Sequence, residues 1–177
     1  MNISRLLPIF ILFLSSCKSG DKTPGQHELS YFNIKGYFEK EADKLSNLNP
    51  TVHKNISYNK QVEEKEVKIE DWHQEFALFI DSDINKSSWR RSYRKDSTSY
   101  KTTYTALEDK LRTRKIEISF DTENRPLHFK IENNVSNYLY DSHEVLEYIP
   151  DSLYRINKFQ KVVVLGQNDY AITGNIK

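Results

Sequence analysis

From Trp89 onward the hydrophobic period of the chain switches to two and turn signals recur, and this alternation constrains the fold more than any other feature. A period of two sends successive side chains to opposite faces of an extended strand, so such a segment belongs in a sheet with one face packed. Arg114-Lys115-Ile116-Glu117-Ile118-Ser119-Phe120 and Pro126-Leu127-His128-Phe129-Lys130-Ile131 alternate most clearly, with a five-residue turn, Asp121 to Arg125, between them. Strands are predicted at about 89–95, 99–106, 112–120, 126–132, 137–149, 152–165 and 169–176. Ile149-Pro150-Asp151-Ser152 carries Pro at the second turn position, and Gly166-Gln167-Asn168 is expected to close the last hairpin. Connections this short join antiparallel neighbours. So many strands must twist and curl. The expected fold is α+β: two helices packed on a curled, mostly antiparallel β-meander that forms a partial barrel.

The helices come first in the chain. Tyr31, Ile34, Phe38, Ala42 and Leu45 fall on one helical stripe, which predicts a helix from about Glu28 to Leu45. Gly36 inside it costs about 1 kcal/mol relative to Ala, so a close neighbour is expected there. Asn47, Asn49 and Pro50 end the element. Thr51 to Tyr58 and Gln61 to Ile69 read as a hairpin around Asn59-Lys60. Its returning strand is rich in charge, with Glu63, Glu64, Lys65 and Glu66, which suits a sheet edge or a projecting arm. A second helix is expected after the N-cap Asp71, on the stripe Trp72, Phe76, Phe79 and Ile80.

Ahead of this domain, residues 1–16 have the layout of a secretory signal. Arg5 supplies the positive charge, Leu6 to Leu14 form an apolar run broken by Pro8, and the small residues Ser15 and Ser16 follow. The run is shorter than the ~20 apolar residues a membrane helix needs. Leu14-Ser15-Ser16-Cys17 resembles at all four positions the lipobox of bacterial lipoproteins cut by the type II signal peptidase. That resemblance implies cleavage before Cys17, a diacylglyceryl thioether on its sulfur and an acylated amine. Two or more acyl chains, at ~0.8 kcal/mol per buried methylene, anchor a protein stably to a bilayer. The chain as a whole resembles uncharacterised lipoproteins of the Bacteroidota. Residues 17–27 read as the lipidated cysteine and a flexible tether, and 28–177 as a single domain. Lys18 is not the Asp that retains many lipoproteins in an inner membrane, so the resemblance points to the outer membrane, with the periplasmic or surface face left open.

Cys17 is the only cysteine, and lipidation removes it from disulfide and thiolate chemistry. The chain has 26 basic and 25 acidic residues, and Arg5 leaves with the signal, so the mature chain is balanced. That balance, with export, excludes a general nucleic-acid footprint. Asp81-Ser82-Asp83-Ile84-Asn85 imitates the opening of an EF-hand loop, but Lys86 stands where the loop needs Gly and Ser92 where it needs Glu. The five histidines form no metal-ligand spacing. Nucleophile elbows and phosphate-binding glycine loops are absent from the sequence, so no catalytic residue, cofactor or metal is assigned.

The most suggestive stretch is Trp89-Arg90-Arg91-Ser92-Tyr93-Arg94-Lys95. Arginine beside aromatic rings suits anionic or sugar-like ligands through stacking and bidentate hydrogen bonds, so Trp89, Arg91, Tyr93 and Arg94 are the candidate binding residues. Most of the eleven tyrosines also fall in predicted strands, where they stabilise a sheet or line a groove. The expected function is a non-enzymatic, lipid-anchored envelope domain that binds a protein or glycan partner. A carrier for a lipid or other apolar ligand in a half-barrel cavity is the second expectation, and an envelope hydrolase the third.

Overall fold

A computed structural model describes residues 30–164 and 166–177. The expected signal (1–16), Cys17 and the expected tether (17–27) lie outside the described residues. Helix α1 (Ile34–Leu48) opens the domain and leads into the hairpin β1 (Thr51–Tyr58) and β2 (Gln61–Lys68). Two short helices, α2 (Trp72–Glu75) and α3 (Ala77–Ile80), precede a 3₁₀ turn at Ser87–Trp89. Seven strands then follow: β3 (Tyr93–Ser97), β4 (Lys101–Ala106), β5 (Thr113–Phe120), β6 (Pro126–Ser136), β7 (Tyr140–Ile149), β8 (Leu153–Val162) and β9 (Gly166–Ile176). The fold is α+β, as the sequence predicts.

All neighbouring strands are antiparallel, in the order β2-β1-β9-β8-β7-β6-β5-β4-β3. The meander runs from β3 to β9, and the N-terminal hairpin then continues the sheet, because β1 pairs with β9 from Val52↔Ile176 to Tyr58↔Tyr170. The sheet stays open, with β2 and β3 as its edges, so it curls without closing into a barrel. Asn59 and Lys60 both take positive φ, 47° and 71°, the conformation that a two-residue hairpin turn requires. The charged β2 guards its edge as expected.

Several boundaries differ from the sequence reading. Helix α1 begins at Ile34, because Asn33 caps it by accepting a hydrogen bond from Gly36 N at 2.9 Å. That cap also explains Gly36: a Cβ there would stand 2.3 Å from the Asn33 side chain. Asp71 caps α2 by accepting from Gln74 N at 3.0 Å, but the expected single helix breaks at Phe76 into two short turns. Gly166 to Asn168 belong to β9, paired with Val162 to Gln160, so the last hairpin turns before them.

The core lies between the helices and one face of the sheet. Tyr31, Ile34, Phe38, Ala42 and Leu45 are all buried, as their spacing predicts. Phe38 stacks on Phe79 at 4.6 Å between ring centroids and meets Phe76, Phe129 and Tyr148 edge-on at 5.3–5.5 Å. Trp72 and Tyr154 close this aromatic cluster, with the Tyr154 ring lying over Gly174 on the neighbouring strand. Lys54 bridges the sheet to α2, its Nζ 2.8 Å from each Glu75 oxygen.

Candidate functional site

Of the four candidate binding residues only Trp89 and Tyr93 come together, with ring centroids 6.4 Å apart. Residues 87–89 form a 3₁₀ turn and β3 starts only at Tyr93, so the strand alternation predicted for 89–92 is absent. Tyr93 is a core residue, 5% exposed, packed against the Tyr31 ring, and its hydroxyl donates to the Thr113 carbonyl at 2.9 Å. Trp89 is half-buried, with Lys86 Nζ 4.3 Å from its ring centroid. Arg91 is exposed, and exposed Arg94 bonds Asp96 at 3.0 Å. The aromatic members of the stretch were bound for the core, and their arginines for water.

Asp83 and Asn85 of the EF-hand-like stretch bond the chain leading into α1: Asn85 accepts from Tyr31 N at 3.0 Å, and Asp83 from Lys35 N at 3.3 Å. His143 and Glu147 share the face of the sheet turned away from the helices, where a shallow concavity of about 250 Å³ is lined by His143, Val145 and Phe159 among others. Glu144 turns to the opposite, helix-side face of the sheet, and there it builds the most developed polar site.

Strands β6, β7 and β8 extend beyond the part of the sheet that the helices cover. Along their helix-side face, Phe129 is paired with Tyr148 and Tyr148 with Tyr154, then Leu146 with Ile131 and Ile156. Two residues further, the positions become Asn133, Glu144 and Lys158, and then Ser142 and Gln160. Glu144 is 5% exposed. Its Oε2 accepts from Arg112 Nη2 at 2.7 Å and from Asn133 Nδ2 at 3.2 Å, and its Oε1 lies 3.1 Å from Lys158 Nζ. Arg112, just ahead of β5, also donates to the Asp81 carbonyl beyond α3 at 3.1 Å. Asn133 donates to Ser82 Oγ at 2.8 Å, and Ser82 Oγ to the Leu78 carbonyl at 2.7 Å. The network therefore ties the end of α3 to the sheet.

Burial alone would push the Glu144 carboxyl upward, but Arg112, Lys158 and Asn133 outweigh it and hold the carboxyl below the ordinary range. It is an ionised counter-ion whose oxygens face two cations and an amide. Two polar atoms in this region, Ser142 Oγ and Asn133 Oδ1, are buried without a hydrogen-bond partner among the described residues.

Above these residues lies a groove with two lobes. One, of about 490 Å³, is lined mainly by polar groups: Arg112, Ser142, Glu144, Lys158, Gln160 and Lys86. The other, of about 550 Å³, is walled largely by Ala77, Leu78, Ile156, Ile172 and Tyr170, with Gln74 and Glu75 also lining it. Leu78, Lys158 and Gln160 line both lobes, so the two are neighbours along the sheet. The groove exists because α3 ends at Ile80, while β7 and β8 run on beneath it.

Glu144, Arg112, Lys158 and Ser142 were not singled out by sequence reasoning, although a signal was present. Glu144 shares parity with Leu146 and Tyr148, and Lys158 shares parity with Tyr154 and Ile156. A carboxylate and an amine at core parity on neighbouring strands mark a buried ion pair once the register is known. Comparison with known proteins adds no likeness to these observations: no family model matches the chain, no curated protein matches it, and no solved structure matches its fold.

Proposed function

We propose that this chain is a lipid-anchored domain of the bacterial cell envelope that binds a ligand or partner without catalysing a reaction, and that the two-lobed groove is where it binds. The observation that carries this reading is the groove itself, whose polar lobe is organised around the buried Glu144 and adjoins a largely apolar lobe. Binding sites combine apolar walls with a few fixed polar groups in this way. The anchor is Cys17, supported by the lipobox Leu14-Ser15-Ser16-Cys17, and the membrane expected is the outer one.

Two experiments test the two halves. Replacing Cys17 with Ala is expected to move the protein out of the membrane fraction after carbonate washing and to abolish acyl labelling; retention with the label intact sinks the anchor. For the groove, native mass spectrometry of the mature chain with Cys17→Ser is expected to show a bound small molecule that Ala77→Trp displaces. A ligand-free spectrum from envelope extracts under all conditions removes the binding reading.

A second reading, a carrier for an apolar ligand, is favoured by the apolar lobe, whose volume of about 550 Å³ falls within the roughly 300–1,000 Å³ of ligand sites. A carrier releases its cargo to an acceptor, so transfer of the ligand to acceptor vesicles separates it from simple recognition.

A further inference from the structure

The chemistry of the two lobes differs, and the difference defines a ligand class, given the reading that the groove is a binding site. Three cations, Lys86, Arg112 and Lys158, line the polar lobe against two carboxylates, Asp81 and Glu144. The lobe therefore carries one positive charge in excess. Arg112 and Lys158 are held in place by Glu144 yet keep 29% and 30% of their side chains exposed. They are pre-positioned donors, so a ligand's head group meets charges whose ordering cost is already met by the fold.

Ser142 supplies the second, independent indication. It is 6% exposed, lines the polar lobe, and its hydroxyl has no hydrogen-bond partner among the described residues. A buried hydroxyl left in that state is destabilising, and an acceptor that reaches it from the lobe would relieve the cost. Donors and excess positive charge at one place ask for an anion. The wall then changes character across Leu78: beyond it Ala77, Ile156 and Ile172 offer apolar contact, although Gln74 and the Glu75 carboxylate, which Lys54 neutralises, also line that lobe. A free inorganic anion would leave the second lobe unused, and an uncharged hydrocarbon would leave Ser142 and the excess charge unanswered.

We infer that the groove takes a single-chain amphiphile with an anionic head, its carboxylate or phosphate in the polar lobe at Ser142, Arg112 and Lys158 and its hydrocarbon chain along Leu78 against Ile156 and Ile172. Such molecules are products of acyl-chain release from membrane lipids, so the reaction class that supplies the ligand is ester hydrolysis of a lipid.

The test is calorimetric titration of the mature chain, residues 17–177 with Cys17→Ser, so that no acyl chain of its own competes. The probes are decanoate, decyl phosphate and decanol, which share a chain and differ in head. Either anion is expected to bind at least about tenfold more tightly than decanol, and the preferred anion distinguishes a carboxylate from a phosphate source. Lys86→Glu, at an exposed position, and Ser142→Ala are each expected to weaken the anions several-fold, up to about tenfold, while leaving decanol binding unchanged; Ser142→Ala should not lower the melting temperature, and Lys86→Glu should lower it only slightly through its lost contact with Trp89. Equal binding of decanol and the anions, or anion affinity indifferent to both substitutions, overturns the anionic head. Failure of all three probes overturns the amphiphile as a class. Either result leaves the groove reading to its own test, the loss of the co-purified ligand in Ala77→Trp. Probe binding that survives Ala77→Trp takes the site out of the groove altogether.

Discussion

Strands β6, β7 and β8 cross two environments on one and the same face. At the covered end Phe129, Tyr148 and Tyr154 are fully buried beneath Phe38, Phe76 and Phe79. At the open end the same strands present Ser142, Glu144, Lys158 and Gln160 to a groove, with Asn133 buried beside Glu144. The backbone pairing runs through both ends without interruption. What changes is the roof. Where the helices lie, aromatic burial supplies the driving force. Where the helices stop, charge holds the face together and the solvent still reaches it. The sheet is thus a common platform, and the length of α2 and α3 decides how much of it is core and how much is site.

Breaking the covered end gives the largest effect. Phe38→Ala removes a ring that touches five other aromatic rings and should cost about 3–5 kcal/mol, read as a fall in the denaturant midpoint. Gly174→Ala tests the same end from the sheet side. A Cβ there would lie 2.1 Å from the Tyr154 ring, which is itself fully buried, so overpacking of about 1–3 kcal/mol is expected. A loss under ~0.5 kcal/mol for either variant would mean that the aromatic cluster does not hold this end.

At the open end the test concerns charge. Glu144→Gln strips Arg112 and Lys158 of their shared counter-ion and should cost about 1–3 kcal/mol at neutral pH, less than a sealed ion pair because both cations are partly hydrated. The sign of its pH dependence follows from a depressed carboxyl. The folded-state value lies below the ordinary 4.5, so the contribution of Glu144 is complete above that pH and is lost as the pH falls through the folded value. Urea titrations at pH 7 and pH 3 should therefore show a smaller difference for Glu144→Gln than for the parent; equal differences would show that the ion pair adds no acid sensitivity.

The smallest effect is expected for Gln160→Ala, on the rim of the groove. It should stay within about 0.5 kcal/mol of the parent, as surface substitutions usually do. A cost approaching that of Phe38→Ala would erase the distinction between the two ends.

Much of the fold was legible from local pattern. The helical stripe Tyr31 to Leu45, the Asn59-Lys60 turn and the alternation of β5 and β6 all followed from periods and turn chemistry. The site was not. Trp89 to Lys95 looked like a recognition strand because arginines and rings were adjacent in sequence, yet Tyr93 packs against Tyr31, sixty-two residues away. Composition could not reveal that partner. Conversely, Glu144 lies eleven residues from Asn133 and thirty-two from Arg112, so its network comes together only once β5, β6, β7 and β8 are in register.

Period, turn residues and capping signals act over a few residues, and they determined by themselves that this chain makes helices followed by an antiparallel meander. The pattern proposed as an export signal and Cys17 is likewise local, and its reading as an anchor rests on sequence alone. Tertiary structure decided two things that no short window contains. One is the return of β1 to pair with β9, which joins the two ends of the described chain in one sheet. The other is where the helical roof ends, which turns core-parity positions on β7 and β8 into a charged groove. Both are contacts between residues far apart along the chain, and their free energy depends on packing that only the assembled fold brings into range.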